Sequence, residues 1–319
     1  MATARRSPVL LGTSSGALAL AQAEWVAQRL RARGVEVRVL PMPCARNPFS
    51  ALRAALVAGE LDVAVSSCKD LPAAASSSVV LAAVATRADP RDALVARDGM
   101  VLGELPAGSL LGTGSPRRAA QLRALGLGLR VAPIQGDVDS RIAAVRKGEF
   151  DGVVLAAAGL ARLGRIDDVT EVLDPLQMLP APGQGALACQ CRADDLDTEH
   201  LLSTLLDDAA TRAAVIAERV LLASLTSGCG ATLGALADVV EDLNDEGQVV
   251  LRLFLRGVAA TADGELFRSS ATAPYSDGEF TDAENLGRHV AAELLDMGAG
   301  TLGVDPALHG QCPGLMGNE

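Results

Sequence analysis

Aromatic side chains are scarce in this sequence: they make up 2% of its 319 residues, with a single Trp (Trp25) and a single Tyr (Tyr275). That leaves little for the stacking platforms that hold single-stranded nucleic acid. Positive charge is in deficit as well, with 28 Lys plus Arg against 39 Asp plus Glu and a net charge of -11. A general nucleic-acid binder needs a basic surface, and so does a protein that docks on anionic lipid. Long apolar runs are missing. Arg5-Arg6 followed by Val9-Leu10-Leu11 begins like a leader, but Gly12-Thr13-Ser14-Ser15-Gly16 breaks the run at once. No window supplies the roughly 18 apolar residues of a membrane span, so a cytoplasmic protein without a membrane or nucleic-acid partner is expected. The cysteines (Cys44, Cys68, Cys189, Cys191, Cys229 and Cys312) are scattered, which suits a reduced compartment better than a disulfide framework. His200, His289 and His309 offer no ligand spacing, and no metal is expected.

What the sequence does have is apolar content, 49% of residues against 21% charged, in a chain long enough for two or three domains. Its first two thirds alternate strand and helix. Strand patterns at 9–14, 35–42 and 61–67 flank helical spacing at 17–34 and 48–59, with Leu18, Ala21, Trp25, Val26 and Leu30 on one side of the first helix. A second set begins near Asp89, with strands at 109–113, 129–135 and 152–156 and helices at 116–126 and 138–148. This pattern predicts two α/β domains with mostly parallel sheets, and ligands where strand C-termini meet helix N-termini. Cys189 and Cys191 belong on one face of a strand. The last third reads as a helix over 209–225, strands at 233–240, 249–259 and 266–273, and a helix over 282–297: a small α+β domain with an antiparallel sheet. The acidic stretch 241–246 and the segment 276–280 read as exposed turns.

Thr113-Gly114-Ser115-Pro116-Arg117-Arg118 carries the most chemical information. Ser115 is a natural N-cap and Pro116 a natural first helical residue. Arg117 and Arg118 then fall in the first turn, where the helix dipole is already positive, and two cations there call for an anion. Backbone N–H groups, a hydroxyl and two guanidinium forks suit a carboxylate or phosphate. Gly136-Asp137-Val138-Asp139-Ser140-Arg141 repeats the theme, with Arg141 as the ligand contact. In Ser67-Cys68-Lys69-Asp70, an apolar strand runs straight into a cation and a carboxylate, so that Lys69 can meet an anion and Asp70 a proton or developing cation. Ser227-Gly228-Cys229-Gly230 sets a thiol between glycines, open to close approach by a ligand.

In combination, these residues resemble the porphobilinogen deaminase (hydroxymethylbilane synthase) family from about Pro8 to about Val304. The specific segments are Ser67-x-Lys69-Asp70-x-Pro72, Asp89-Pro90-Arg91-Asp92-Ala93, Leu105-Pro106-Ala107-Gly108-Ser109 and Gly112-Thr113 with Ser115, Arg117 and Arg118. Ala158-Gly159-Leu160, Arg162-Leu163-Gly164, Pro182-Gly183-Gln184-Gly185-Ala186 and Gly228-Cys229 complete the set. The resemblance implies two domains like those of type-II periplasmic binding proteins (1–86 with 185–204, and 87–184), an active cleft between them, and a third domain over 205–319. It implies head-to-tail condensation of four porphobilinogen molecules with loss of ammonia, on a dipyrromethane cofactor joined by a thioether to Cys229. Asp70 would be the catalytic carboxylate, aiding ammonia departure and stabilising cationic nitrogens. Lys69, Ser115, Arg117 and Arg118 would hold the cofactor, and Ser14, Ser67, Thr113, Arg141, Arg162 and Gln184 the substrate. The resemblance also implies a monomer, the usual state in the family.

The sequence departs from the family pattern at four places. Ser14 stands where the family has Arg, Gln135-Gly136-Asp137 where it has Arg-Gly-Asn, and Ser66 where it has His. The Gly- and Lys-rich lid after the second strand is missing, 44–52 being short and without Lys. These losses keep alive a second reading, a non-catalytic protein of the same bilobed fold that binds a pyrrole or another polyanion.

Overall fold

The computed structural model describes residues 8–43, 48–72, 77–225, 232–260 and 265–299. The first elements are β1 (Val9–Ser14), α1 (Ala17–Arg31), β2 (Val37–Met42), α2 (Pro48–Val57), β3 (Val63–Ser67) and β4 (Val79–Ala85). Next come β5 (Asp92–Ala96), β6 (Leu110–Gly112), α3 (Pro116–Ala124), β7 (Arg130–Ala132), α4 (Val138–Arg146), β8 (Gly152–Ala156), α5 (Ala157–Arg162) and β9 (Glu171–Val172). The chain continues through β10 (Leu187–Arg192), α6 (Leu196–Leu206), α7 (Ala209–Leu225), β11 (Leu233–Leu243), β12 (Val249–Ala260), β13 (Leu266–Pro274) and α8 (Thr281–Leu294). It divides into two compact units, one built from the described residues up to 87 with 186–212, the other from 88–185 with the described residues from 213 onward. Among the described residues no helix is long and apolar enough to cross a membrane.

The first unit is a five-stranded sheet in the order β2-β1-β3-β10-β4. β1 pairs in parallel with β2 and β3, while β10 runs antiparallel to both β3 and β4, so one strand opposes the other four. α1 buries Gln22, Ala23, Val26, Ala27 and Leu30, a face turned from the one read off the sequence; Leu18, Ala21 and Trp25 are only partly covered. Arg29 lies 3.2 Å from the Trp25 ring centroid, a cation–π contact that explains why Trp25 stays at the rim of the core. Cys189 and Cys191 alternate into the core from β10, as their spacing predicts. Burial pushes both thiols up, Cys191 to about 11, so neither is a ready nucleophile. In this unit two elements lie outside the sequence reading. β4 is an apolar run without alternation, and α6 is capped by Asp195, whose carboxylate accepts from Thr198 N at 3.1 Å.

The second unit repeats the plan in the order β7-β6-β8-β5-β9, with β6 parallel to β7 and β8 and with β5 the reversed strand. It also contains an antiparallel sheet, β11-β12-β13. One face of that sheet packs Ala235, Leu253 and Leu255 against Leu221 of α7 and Val290 and Leu294 of α8. The helices approach closely because Gly287 has no side chain; a Cβ there would sit 2.5 Å from the Ala217 carbonyl oxygen. Two mostly parallel α/β sheets and an antiparallel α+β end are thus the architecture the pattern predicts. The acidic stretch differs: Glu241, Asp242 and Leu243 remain in β11, paired with Leu251, Val250 and Val249. The β-forming partners on β12 and an Asp242–Arg252 ion pair at 3.0 Å hold these charged residues in register, and the turn itself shrinks to Asn244–Gly247.

Candidate functional site

In the second unit, β6 and β7 are parallel neighbours, so the loops leaving their C-terminal ends lie on one edge of the sheet. The first loop opens α3 as expected. Ser115 caps the helix, its Oγ accepting from Arg118 N at 3.4 Å, with Pro116 in the first turn. Thr113 is buried, and its Oγ1 accepts from Ser115 N at 3.1 Å, which fixes the approach to the cap.

The anion demanded by two arginines in a first helical turn is supplied from within. Arg117 and Arg118 are 3% and 6% exposed, and both turn inward onto Asp92, which is 0% exposed at the start of β5. Arg118 donates to Asp92 Oδ1 from Nε (3.0 Å) and Nη2 (2.7 Å), and from Nη1 to the Val154 carbonyl at 2.9 Å. Arg117 Nη2 stands 2.8 Å from Asp92 Oδ2, off the hydrogen-bond axis, while Nη1 donates to the Leu179 carbonyl at 2.5 Å. The Gln184 amide donates to the same Oδ1 and to the Pro90 carbonyl, each at 2.8 Å. Burial alone would raise the Asp92 pKa, but the two guanidiniums and the hydrogen bonds from Arg118 and Gln184 together hold it far below the usual carboxylate range. Arg117 is pulled the other way: burial lowers its pKa, Asp92 raises it and Arg118 lowers it further.

A third guanidinium joins this group. Arg141 stands on α4, whose N-cap Asp137 accepts from Ser140 N at 2.8 Å after Gly136 at φ +99. A side chain at 136 would be strained by that φ and would meet Ser140 Cβ at 3.0 Å. Arg141 is half-buried, and its pKa is lowered by desolvation and by Arg118, partly offset by Asp137. Its Nε is enclosed without an acceptor, and so is Arg117 Nε. Asp139 is taken by Arg165, at 2.6 Å. Two guanidiniums therefore share one buried carboxylate with a third close to Arg118, and two Nε–H groups are left over. Arg162, at the end of α5, donates to the Gly185 carbonyl at 2.7 Å. It thus helps to hold the segment by which the chain leaves this unit. Gln184 is 1% exposed, and its amide nitrogen is committed to Asp92 and Pro90.

In the first unit, Ser14 ends β1 and Ser67 ends β3, and these strands are parallel neighbours. Thr13 Oγ1 donates to the Val65 carbonyl at 3.2 Å, tying the two strands just below their ends. Ser67 is buried, Lys69 half-buried and Asp70 exposed on a single 3-10 turn, Cys68–Asp70. Cys229 and Cys44 lie outside the described residues.

Sequence reading singled out neither Asp92 as the partner of the arginine pair nor Glu218. Glu218 is 0% exposed in α7 and accepts from Gly183 N (2.5 Å) and Ala237 N (2.8 Å), joining the segment before Gly185 to β11. A signal was available for Asp92, a charged residue opening the apolar run Ala93-Leu94-Val95-Ala96, whereas Glu218 is followed at once by Arg219 and carried none. A charged residue in such a run is buried only with partners.

Residues 49–200 match the model of the porphobilinogen deaminase dipyrromethane cofactor-binding domain, and residues 212–296 match that of the porphobilinogen deaminase C-terminal domain. Porphobilinogen deaminase of Nocardia farcinica is 52% identical over 96% of this chain and 91% of its own length. That of Mycobacteroides abscessus is 50% identical over 92% and 99%, and that of Mycobacterium tuberculosis 56% identical over 78% and 79%. Among solved structures, a nutrient-binding protein from Burkholderia cenocepacia bound to methionine aligns over 61% of this chain and 90% of its own, at 14% identity and a TM-score of 0.41. With its arginine group, its buried aspartate and relatives at half identity over nearly its whole length, the chain belongs to the porphobilinogen deaminase family.

Proposed function

We propose that this chain is a working hydroxymethylbilane synthase, joining four porphobilinogen units head to tail with loss of ammonia at each step. The observation that carries this reading is the gathering of positive charge at the strand ends of the second unit: Arg117 and Arg118 on the buried carboxylate of Asp92, with Arg141 near Arg118, and with Arg117 Nε and Arg141 Nε lacking acceptors. Enclosed donors without acceptors are costly and call for an anion. Porphobilinogen and its oligomers carry acetate and propionate groups, and guanidinium forks pair with carboxylates in two-point contacts. The residues present therefore fit a carboxylate-rich cofactor as well as its substrate.

A dipyrromethane group joined to Cys229 supplies a free pyrrole carbon for chain growth. Ser115, Arg117, Arg118 and Lys69 are assigned to its carboxylates, and Arg141, Arg162, Ser14, Ser67, Thr113 and Gln184 to those of the incoming units. Arg141 is the strongest of the second group, being half-buried with a free Nε. Arg162 and Gln184 act as positioning residues through their bonds to the 185 carbonyl and to Asp92. Asp70 is assigned the proton work: its carboxylate accepts a hydrogen bond from the ammonium departing from the aminomethyl carbon and faces the positive charge that develops on the pyrrole nitrogen. Its exposure on a short turn beside Lys69 suits a group that must meet successive substrates. The same reading takes the chain as a cytoplasmic monomer with three domains, 1–86 with 185–204, 87–184 and 205–319. Light scattering should then return a mass near 32.6 kDa.

The test is direct. Purified protein is weighed intact and treated with acid Ehrlich reagent, then given porphobilinogen. The reading expects a mass increment of one dipyrromethane that is lost in Cys229→Ala, and turnover to a uroporphyrin precursor. An unmodified chain that forms no pigment would transfer the assignment to a non-catalytic pyrrole binder.

A further inference from the structure

We propose that a cavity of about 240 Å³ on the outer face of the C-terminal sheet binds a small organic anion, a carboxylate carried on a short apolar chain. The site lies wholly in the second unit and, apart from Leu179, whose carbonyl accepts from Arg117, uses none of the residues of the arginine group described above.

Strand alternation builds it. Along β12, Leu253 and Leu255 point into the core under α7 and α8, which leaves Arg256 and Val258 on the other face. The β12–β13 register sets Ser270 opposite Arg256 and Arg268 opposite Val258, so the two arginines are diagonal neighbours on one face. Val258 and Leu179 are buried and form an apolar floor, while Leu176 overhangs it, 78% exposed.

The charges do not balance there. Arg256 Nη2 reaches Asp238 at 3.2 Å, but its Nε is enclosed without an acceptor. Arg268 makes no ion pair or side-chain hydrogen bond among the described residues. The carboxylate of Glu293 is engaged by the Ser269 hydroxyl and by His289, on the α8 side of the sheet. An apolar floor with one unpaired cation and one enclosed donor above it selects a ligand with both parts: a hydrocarbon body, and an anionic head that takes Arg268 and Arg256 Nε. Neither part alone is well served, since a bare inorganic anion leaves the floor wet and a neutral chain leaves the enclosed Arg256 Nε unpaired, Arg268 being exposed to water. The volume is that of about eight waters, which limits the body to a handful of carbons.

Isothermal calorimetry of the full chain with sodium hexanoate tests the site, with acetate and 1-hexanol as controls for each half of the ligand. The expected result is saturable one-to-one binding, at least about tenfold tighter for hexanoate than for either control. It should weaken about tenfold in Arg268→Ala and remain unchanged in Arg141→Ala, with melting curves confirming that both variants are folded. Absence of saturable binding overturns the proposal, as does an affinity indifferent to Arg268. Loss of binding in Arg141→Ala instead would show that hexanoate had entered the pyrrole-carboxylate site, which also overturns it.

Discussion

The two five-stranded sheets have the same order, with three parallel strands, a reversed fourth and an outer fifth, yet their strand ends are equipped differently. After β1 the first unit offers Ser14, Ser15 and Gly16, and α1 starts without a side-chain cap. After β6, the equivalent strand of the second unit, α3 starts with a capping serine and two arginines. After β3 the first unit carries Lys69 and the exposed Asp70; after β8 the second carries α5 and Arg162. The topology sets where ligands can meet the chain, while the side chains divide the labour. In the function proposed above, the second unit grips acidic groups, and the first supplies Asp70 for the proton work.

The sharpest break in this comparison is Asp92→Ala. It would leave two guanidiniums buried without a counter-charge, at a cost of about 3–5 kcal/mol. Urea unfolding should show this loss, and the variant should fail to retain cofactor. Asp70→Asn is the opposite case. Its exposed position predicts stability within about 0.5 kcal/mol of the parent, while turnover falls by about 10²–10⁴-fold. Steady-state rates measured beside melting curves separate the two, and a destabilised Asp70 variant with retained activity would reverse the division proposed here. Arg141→Ala should raise KM for porphobilinogen by about 10- to 100-fold, the worth of one charge-assisted contact. Its stability should be unchanged or slightly improved, because a half-buried cation repelled by Arg118 is removed. Ser14→Arg would make the first unit more like the second; the partly exposed position limits the gain in KM to about two- to five-fold.

The smallest effect is on acid stability. The folded-state pKa of Asp92 is depressed, so its contribution is complete above the unfolded carboxylate value of about 3.9 and is lost as pH falls below it. Unfolding followed at pH 7, 5, 4 and 3 should give little change from this group down to pH 5 and a decline below about pH 4. The decline should be shallower in Asp92→Asn.

Elements whose own side chains carry the pattern were legible in the sequence. β1, β8 and α7 have the bounds read from it. The cap at Ser115 was equally local. Structure that depends on distant partners was not legible. β4 has no alternation because helices cover both of its faces, α2 on one side and on the other α6, which arrives over a hundred residues later along the chain. The partner of Arg117 and Arg118 lies 26 residues from Arg118, on a strand whose neighbour is set by a reversed crossing, and Gln184 reaches it from 92 residues away. Nothing local to the arginines says whether their counter-charge is a ligand or an aspartate.

Asp92 Oδ1 receives Arg118 and Gln184 together, and Gln184 sits two residues before the chain passes back into the first unit. One oxygen is thus a common tether for an arginine assigned, in the proposed function, to ligand carboxylates and for the return crossing. As an acidic oligomer lengthens and draws on Arg118, the tension falls on that tether. Amide exchange at 184–186 should therefore quicken with each pyrrole added, turning the crossing into a built-in gauge of product length.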